Sequence, residues 1–148
     1  MARDDRLMLF TCLDEHYGID LRWTHEIIYR PQLLTLPGLT PPVCGLIIWQ
    51  GRTLPVIGMR QLAGEQRMPD RPAVVILGDD GQRAGLLVDG IGETVSVPGQ
   101  DLFPLGRTLS VGRPYLSQAF RLKNGLVFAL NVPALLERFC SPPRRAGA

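Results

Sequence analysis

Gly45-Leu46-Ile47-Ile48-Trp49-Gln50-Gly51-Arg52-Thr53-Leu54-Pro55-Val56-Ile57 sets two apolar runs on either side of a short break. Branched and aromatic side chains favour strands in both runs, and the glycine favours a tight turn. The pattern predicts strands over 43–50 and 53–57, joined by a turn at Gly51-Arg52. Upstream, the uncharged stretch from Pro31 to Gly51 is about long enough to cross a bilayer. Pro37, Pro41 and Pro42 would each remove a helix hydrogen bond there, and Gly38 and Gly45 weaken a helix further, so no membrane insertion is expected.

The same reading extends in both directions. Leu7 to Leu13 and Tyr17 to Leu21 form a first hairpin about Asp14-Glu15-His16, and Trp23 to Tyr29 continues as extended or short helical chain. Arg60-Gln61-Leu62 reads as a single helical turn before a polar connection over 64–71. Ala73 to Leu77 and Ala84 to Val88 flank Asp79-Asp80-Gly81, and Leu116 to Leu122 faces Leu126 to Leu130 across Asn124-Gly125. Asp-Gly and Asn-Gly supply the positive φ that such hairpins need. Glu93 to Val97 is a further strand; the preceding Gly90 and Gly92, like Gly85, suit close backbone packing. Val132 to Phe139 is the one clear helix, with Pro133 in its first turn and Leu135, Leu136 and Phe139 on one face.

Many short strands at regular spacing indicate an all-β chain of small barrels or a sandwich. The 148 residues suit one domain, or two subdomains sharing a core, and can bury about 70% of the unfolded surface without a metal or disulfide. A 45% hydrophobic and 20% charged composition excludes wholesale disorder, collagen and coiled coil. A net charge of +2, with scattered arginines and only Trp23 and Trp49 as indoles, gives no footprint for nucleic acid. Met1 to Arg6 mixes charges of both signs with no long apolar run behind it, so a cytoplasmic location is expected, and 141–148 reads as a flexible tail. Cys12, Cys44 and Cys140 are odd in number and lack metal-ligand spacing, which points to buried or tail thiols. Asp79-Asp80 reads as turn chemistry, and His16 as a solvated turn residue. No phosphate loop, dinucleotide fingerprint or metal set is present, so no catalytic residue, cofactor or metal is expected. An enzyme reading would need Cys44 and His25 within hydrogen-bond reach.

Three segments, in order, resemble the CheW-like family of chemotaxis coupling proteins. They are Tyr17 to Leu21 with Glu26-Ile27-Ile28, then Gly45-Leu46-Ile47 through Gly51 to Ile57, then Gly85 to Ile91. Leu126 to Leu136 is similar to the family's last strand and closing helix, so the likeness runs from about Leu7 to Arg138. It implies a single domain of two five-stranded SH3-like barrels on a shared hydrophobic core, with a short C-terminal helix. One subdomain would cover about 18–80, and the other 81–130 with the flanking terminal segments. It further implies an adaptor that catalyses nothing. A groove between the barrels would receive the cytoplasmic tip of a methyl-accepting chemoreceptor, and another face would dock the regulatory domain of a CheA-type histidine kinase, in association with receptor arrays.

Carried over by position, the receptor set is Thr24, Glu26, Gln50, Gly51, Leu87 and Val88, and the kinase set is Ile28, Leu33, Leu34, Leu36 and Val43. Core packing is the alternative for every apolar member, because alternation does not say which face is outside. Glu26 is either a solvated side chain or a rim contact for a basic partner. Where the family usually has Asn-x-Arg-Gly, this chain has Ile48-Trp49-Gln50-Gly51, exchanging a guanidinium for an amide. Removing one member of a buried charge pair costs about 2 to 5 kcal/mol, so ordinary receptor coupling is in question unless the partner has changed in step. Trp49 is a candidate hot spot, with half-buried packing as the other reading. Gly58 stands where the family commonly has Asp, at a helix cap, where Gly costs only a few tenths of a kcal/mol. The alternative function is a scaffold that keeps the fold and binds the kinase or another protein without ordinary receptor coupling.

Overall fold

Chain reversals at positive-φ residues cut the apolar runs into short strands. The computed structural model describes residues 4–79, 81–105, 115–123 and 125–140. Asp80, Asn124 and the proposed tail lie outside them, as does the Cys140 side chain. Strands β1 (Asp4–Cys12), β2 (Glu15–Asp20) and β3 (Thr24–Tyr29) are followed by β4 (Val43–Trp49) and β5 (Arg52–Gly58). The one-turn helix α1 (Met59–Leu62) precedes β6 (Ala73–Gly78), β7 (Arg83–Val88) and β8 (Gly90–Pro98). Last come β9 (Phe103–Pro104), β10 (Leu116–Leu122), β11 (Gly125–Leu130) and the helix α2 (Val132–Cys140).

These strands form a five-stranded sheet in the order β3-β6-β7-β5-β4 and a six-stranded one in the order β8-β1-β2-β11-β10-β9. The all-β, two-barrel architecture expected from the sequence is therefore present, with the two-residue β9 as a sixth strand on one sheet. The five-stranded sheet draws on Thr24 to Val88, so the change of sheet falls at Asp89 and not at residue 80, which would split the β6–β7 hairpin. Two turns also move. Leu13 and Asp14, both at positive φ, make the β1–β2 turn, and Glu15 and His16 enter β2. Gln50 and Gly51 make the β4–β5 turn, which leaves Arg52 paired with Trp49 in the ladder.

Three apolar clusters fill the molecule. Leu7, Leu9, Val97, Phe120 and Val127 lie inside the six-stranded barrel, and Ile47, Leu54, Val56, Val74, Ile76 and Leu87 inside the five-stranded one. The largest lies between them, where Met8, Phe10, Tyr17 and Ile19 meet Val75, Leu77, Leu86 and Val88 beneath Leu135 and Leu136 of α2. Strands β6 and β7 consequently have apolar partners on both faces, which explains their near-continuous Val, Ile and Leu content. Each such side chain taken from water stabilises the fold by about 1.5 to 3 kcal/mol. Helix α2 is capped by Asn131, whose Oδ1 accepts the Ala134 N–H at 3.1 Å.

One polar clasp spans the junction. Both oxygens of Asp89 accept from Arg60 of α1 at 2.9 Å, Oδ2 also accepts the Leu13 N–H at 3.0 Å, and the Asp89 N–H donates to Thr11 O. Gly58 is the N-cap of α1, the position read for it from the sequence. No side chain caps α1; a Cβ added at Gly58 would sit 1.5 Å from Gln61 Oε1, which folds back over it. Glycine there makes room for Gln61, and an aspartate would have to displace it.

Candidate docking surface

The β4–β5 turn builds the most informative corner of the surface. Gln50 at φ 49° and Gly51 at φ 75° give the doubly left-handed backbone of a tight two-residue hairpin. Both residues are exposed, while Trp49 before them is half-buried and shares the inward face of β4 with Ile47. Its indole reaches across to β3, where Nε1 donates to Glu26 Oε1 at 3.2 Å. The ring also lies 6.2 Å from that of His25, whose Nε2 is 3.1 Å from Gly78 O. Register places Glu26 opposite Ile76 and Ile28 opposite Val74, so this face of β3 looks into the five-stranded barrel. The Glu26–Trp49 bond thus ties the two outermost strands of that sheet together.

Of the residues expected to meet a receptor, Glu26 is bonded to Trp49, and Gln50 and Gly51 form the turn that follows it. Thr24 is half-buried, and its Oγ1 donates to Asp20 O at 3.5 Å. Leu87 and Val88 do not join them. Leu87, 2% exposed, packs inside the barrel, and Val88, fully buried, faces the cluster between the barrels, so neither side chain offers a surface to a partner.

The expected kinase set is split in a similar way. Ile28 and Leu33 are half-buried against the inner cluster, and Val43 is half-buried opposite Ile57. Leu34 and Leu36 are exposed on the connection to β4, where Leu34 and Leu46 exchange backbone hydrogen bonds of 2.8 Å. Two more fully exposed apolar side chains were absent from that set: Tyr29 at 66% and Ile48 at 63%. Alternation carries the signal for Ile48, because once Ile47 and Trp49 point inward the residue between them points out.

The alternative chemistry finds no support at Cys44 and His25. Burial pushes the half-buried Cys44 thiol above its ordinary value, the opposite of a reactive thiolate. Burial, and next the Asp89 charge, push Cys12 up to about 12 from 9.0. The unfolded chain therefore loses that proton first, so stability is complete below pH 9 and falls as pH rises from 9 toward 12. We expect a Cys140→Ser protein to react slowly with a thiol reagent at pH 7 and quickly once denatured. Chemical denaturation across the alkaline range should show Cys12→Ala declining less than its parent; parallel declines would refute the assignment.

Asp79 behaves as a turn residue: its Oδ1 accepts the N–H groups of Gly81 and Gln82 at 2.9 and 2.8 Å, which lowers its pKa. Among the described residues no three His, Cys, Asp or Glu side chains could hold a metal ion, and no helix is long and apolar enough to cross a membrane.

Comparison with known proteins agrees with this architecture. The chain is 26% identical over 132 residues to the chemotaxis protein CheW of Klebsiella aerogenes, covering 87% of this chain and 80% of that one. Its fold is similar to the crystal structure of the scaffolding protein TtCheW from Thermoanaerobacter tengcongensis, with a TM-score of 0.79 and 19% identity over 86% of this chain and 89% of that one. The family model for the CheW-like domain matches residues 6–140, from β1 to the end of α2, and the chain belongs to that family.

Proposed function

We propose that the protein is a non-enzymatic adaptor of chemotaxis-type signalling that couples a chemoreceptor's cytoplasmic tip to the regulatory domain of a CheA-type histidine kinase. The observation that carries this reading is the family match across both barrels. A relative named as a chemotaxis protein and a fold neighbour named as a scaffolding protein support it. The receptor side is assigned to Glu26, Gln50 and Gly51 beside Trp49, with Thr24 on the same strand as Glu26. The kinase side is assigned to exposed Leu34 and Leu36 together with half-buried Ile28, Leu33 and Val43, with Ile48 as an added member. Such a mixture of exposed apolar side chains and a polar rim suits a protein interface. The protein acts in the cytoplasm and reaches receptor arrays through these partners.

A second reading rests on one substitution. Gln50 provides no guanidinium at the turn, and Glu26 is bonded by an indole, so a scaffold that holds the kinase without ordinary receptor coupling also fits. Calorimetry of the full chain with the kinase regulatory domain, and separately with a receptor tip fragment from the same genome, separates the two. Micromolar binding to both is expected of the adaptor, and kinase binding alone favours the scaffold. Binding to neither rejects both.

A further inference from the structure

We infer that Trp49 is a positioning residue, whose indole N–H holds the Glu26 carboxylate for a lysine or arginine brought by the docked receptor-side partner. The inference rests on the adaptor reading and specifies the chemistry of that partner.

Glu26 is exposed and takes part in none of the ion pairs among the described residues, which join Arg22 to Asp5 and Asp20, and Arg60 to Asp89. Its hydrogen bond from Trp49 Nε1 engages Oε1, and the residue as a whole is exposed. Gln50, next along the chain, is an amide and adds no charge. Arg52, opposite Trp49 in the ladder, is not within ion-pair distance of Glu26. A partner that settles on this corner strips water from a carboxylate, which is unfavourable unless the partner supplies a cation.

Trp49 makes that exchange cheaper. Its ring packs against the inner cluster of Ile47, Leu54 and Val56, so it is anchored before any partner arrives. A carboxylate bonded to an anchored donor has lost part of its rotamer freedom in advance, and less remains to be lost on docking. The packed ring body and the donated N–H are separate contributions, and a phenylalanine would keep the first without the second.

The test measures the affinity of the full chain for the receptor tip fragment at low and high salt. Glu26→Gln is expected to bind about tenfold more weakly and to lose most of the salt dependence. Glu26→Lys should abolish binding, and an acidic substitution at the partner's basic residue should restore it. Trp49→Phe should keep its thermal midpoint while binding severalfold more weakly, an effect that packing alone would not produce. Equal affinity and salt response for the parent and Glu26→Gln would overturn the inference, and an unaltered Trp49→Phe would remove the role of Trp49. If the parent does not bind the receptor fragment at all, the adaptor reading fails first and takes this inference with it.

Discussion

Phe10→Ala is expected to lower stability by about 3 to 5 kcal/mol, the usual cost of removing a buried phenylalanine and leaving a cavity behind. Phe10 is fully buried and stacks on Tyr17, its register partner, with ring centroids 5.3 Å apart and an interplanar angle of 17°. Tyr17 in turn lies 6.2 Å from Phe128 of β11. The cluster that contains Phe10 also holds Val75 and Leu86 of the other sheet, so the cavity would open between the barrels. Folded proteins of this size are stable by about 5 to 15 kcal/mol, so the loss consumes much of the reserve. Urea unfolding should show a lower midpoint with an unchanged slope, and hydrogen exchange should report both sheets losing protection together. If the five-stranded sheet kept its protection while the six-stranded one lost it, the central cluster would not be the element that couples the barrels. Any loss of partner binding by this variant should track its unfolded fraction, because Phe10 presents no surface.

Gly85→Ala is expected to cost about 1 to 3 kcal/mol by the opposite mechanism, overfilling. Gly85 lies in β7 between Val56 of β5 and Ile76 of β6, and a Cβ there would come within 2.8 Å of Val74 Cγ1 and 3.2 Å of Val56 Cγ2. Neither neighbour can retreat freely, since both are fully buried in the inner cluster. The double substitution Gly85→Ala with Val74→Ala should recover part of the loss, because it removes the closest methyl group. Thermal denaturation of the two singles and the double measures that coupling, and strict additivity would show that crowding against Val74 is not the cause. Gly51 provides a contrast. No atom lies within 4 Å of a Cβ added there, so its need for glycine comes from φ 75° and not from space.

Much of this fold is legible along the chain because local chemistry acts over a few residues. Gly51, Gly81 and Gly125 mark reversals, branched residues mark the strands, and Leu135, Leu136 and Phe139 mark one face of α2. The shift of the β4–β5 turn to Gln50-Gly51 shows where that locality ends. Any of several neighbouring pairs can form a two-residue turn, and register with β5 selects one. The Asn131 cap had a readable signal, an asparagine just before the helix. The cap position of Gly58 was readable too, but not the way Gln61 folds back over it.

The candidate site divides along the same physical line. The sequence by itself determined that the chain is all-β, and its likeness to the family singled out Glu26, Trp49 and the amide Gln50 as candidates. It could not determine that Glu26 and Trp49 touch, or that Leu87 and Val88 face inward on opposite sides of one strand. Alternation in a strand gives two faces but not which of them is covered, and β7 is covered on both. Burial belongs to what packs against a residue, and only the tertiary structure, by curling one sheet and stacking the other against it, decided which side chains remain for a partner to meet.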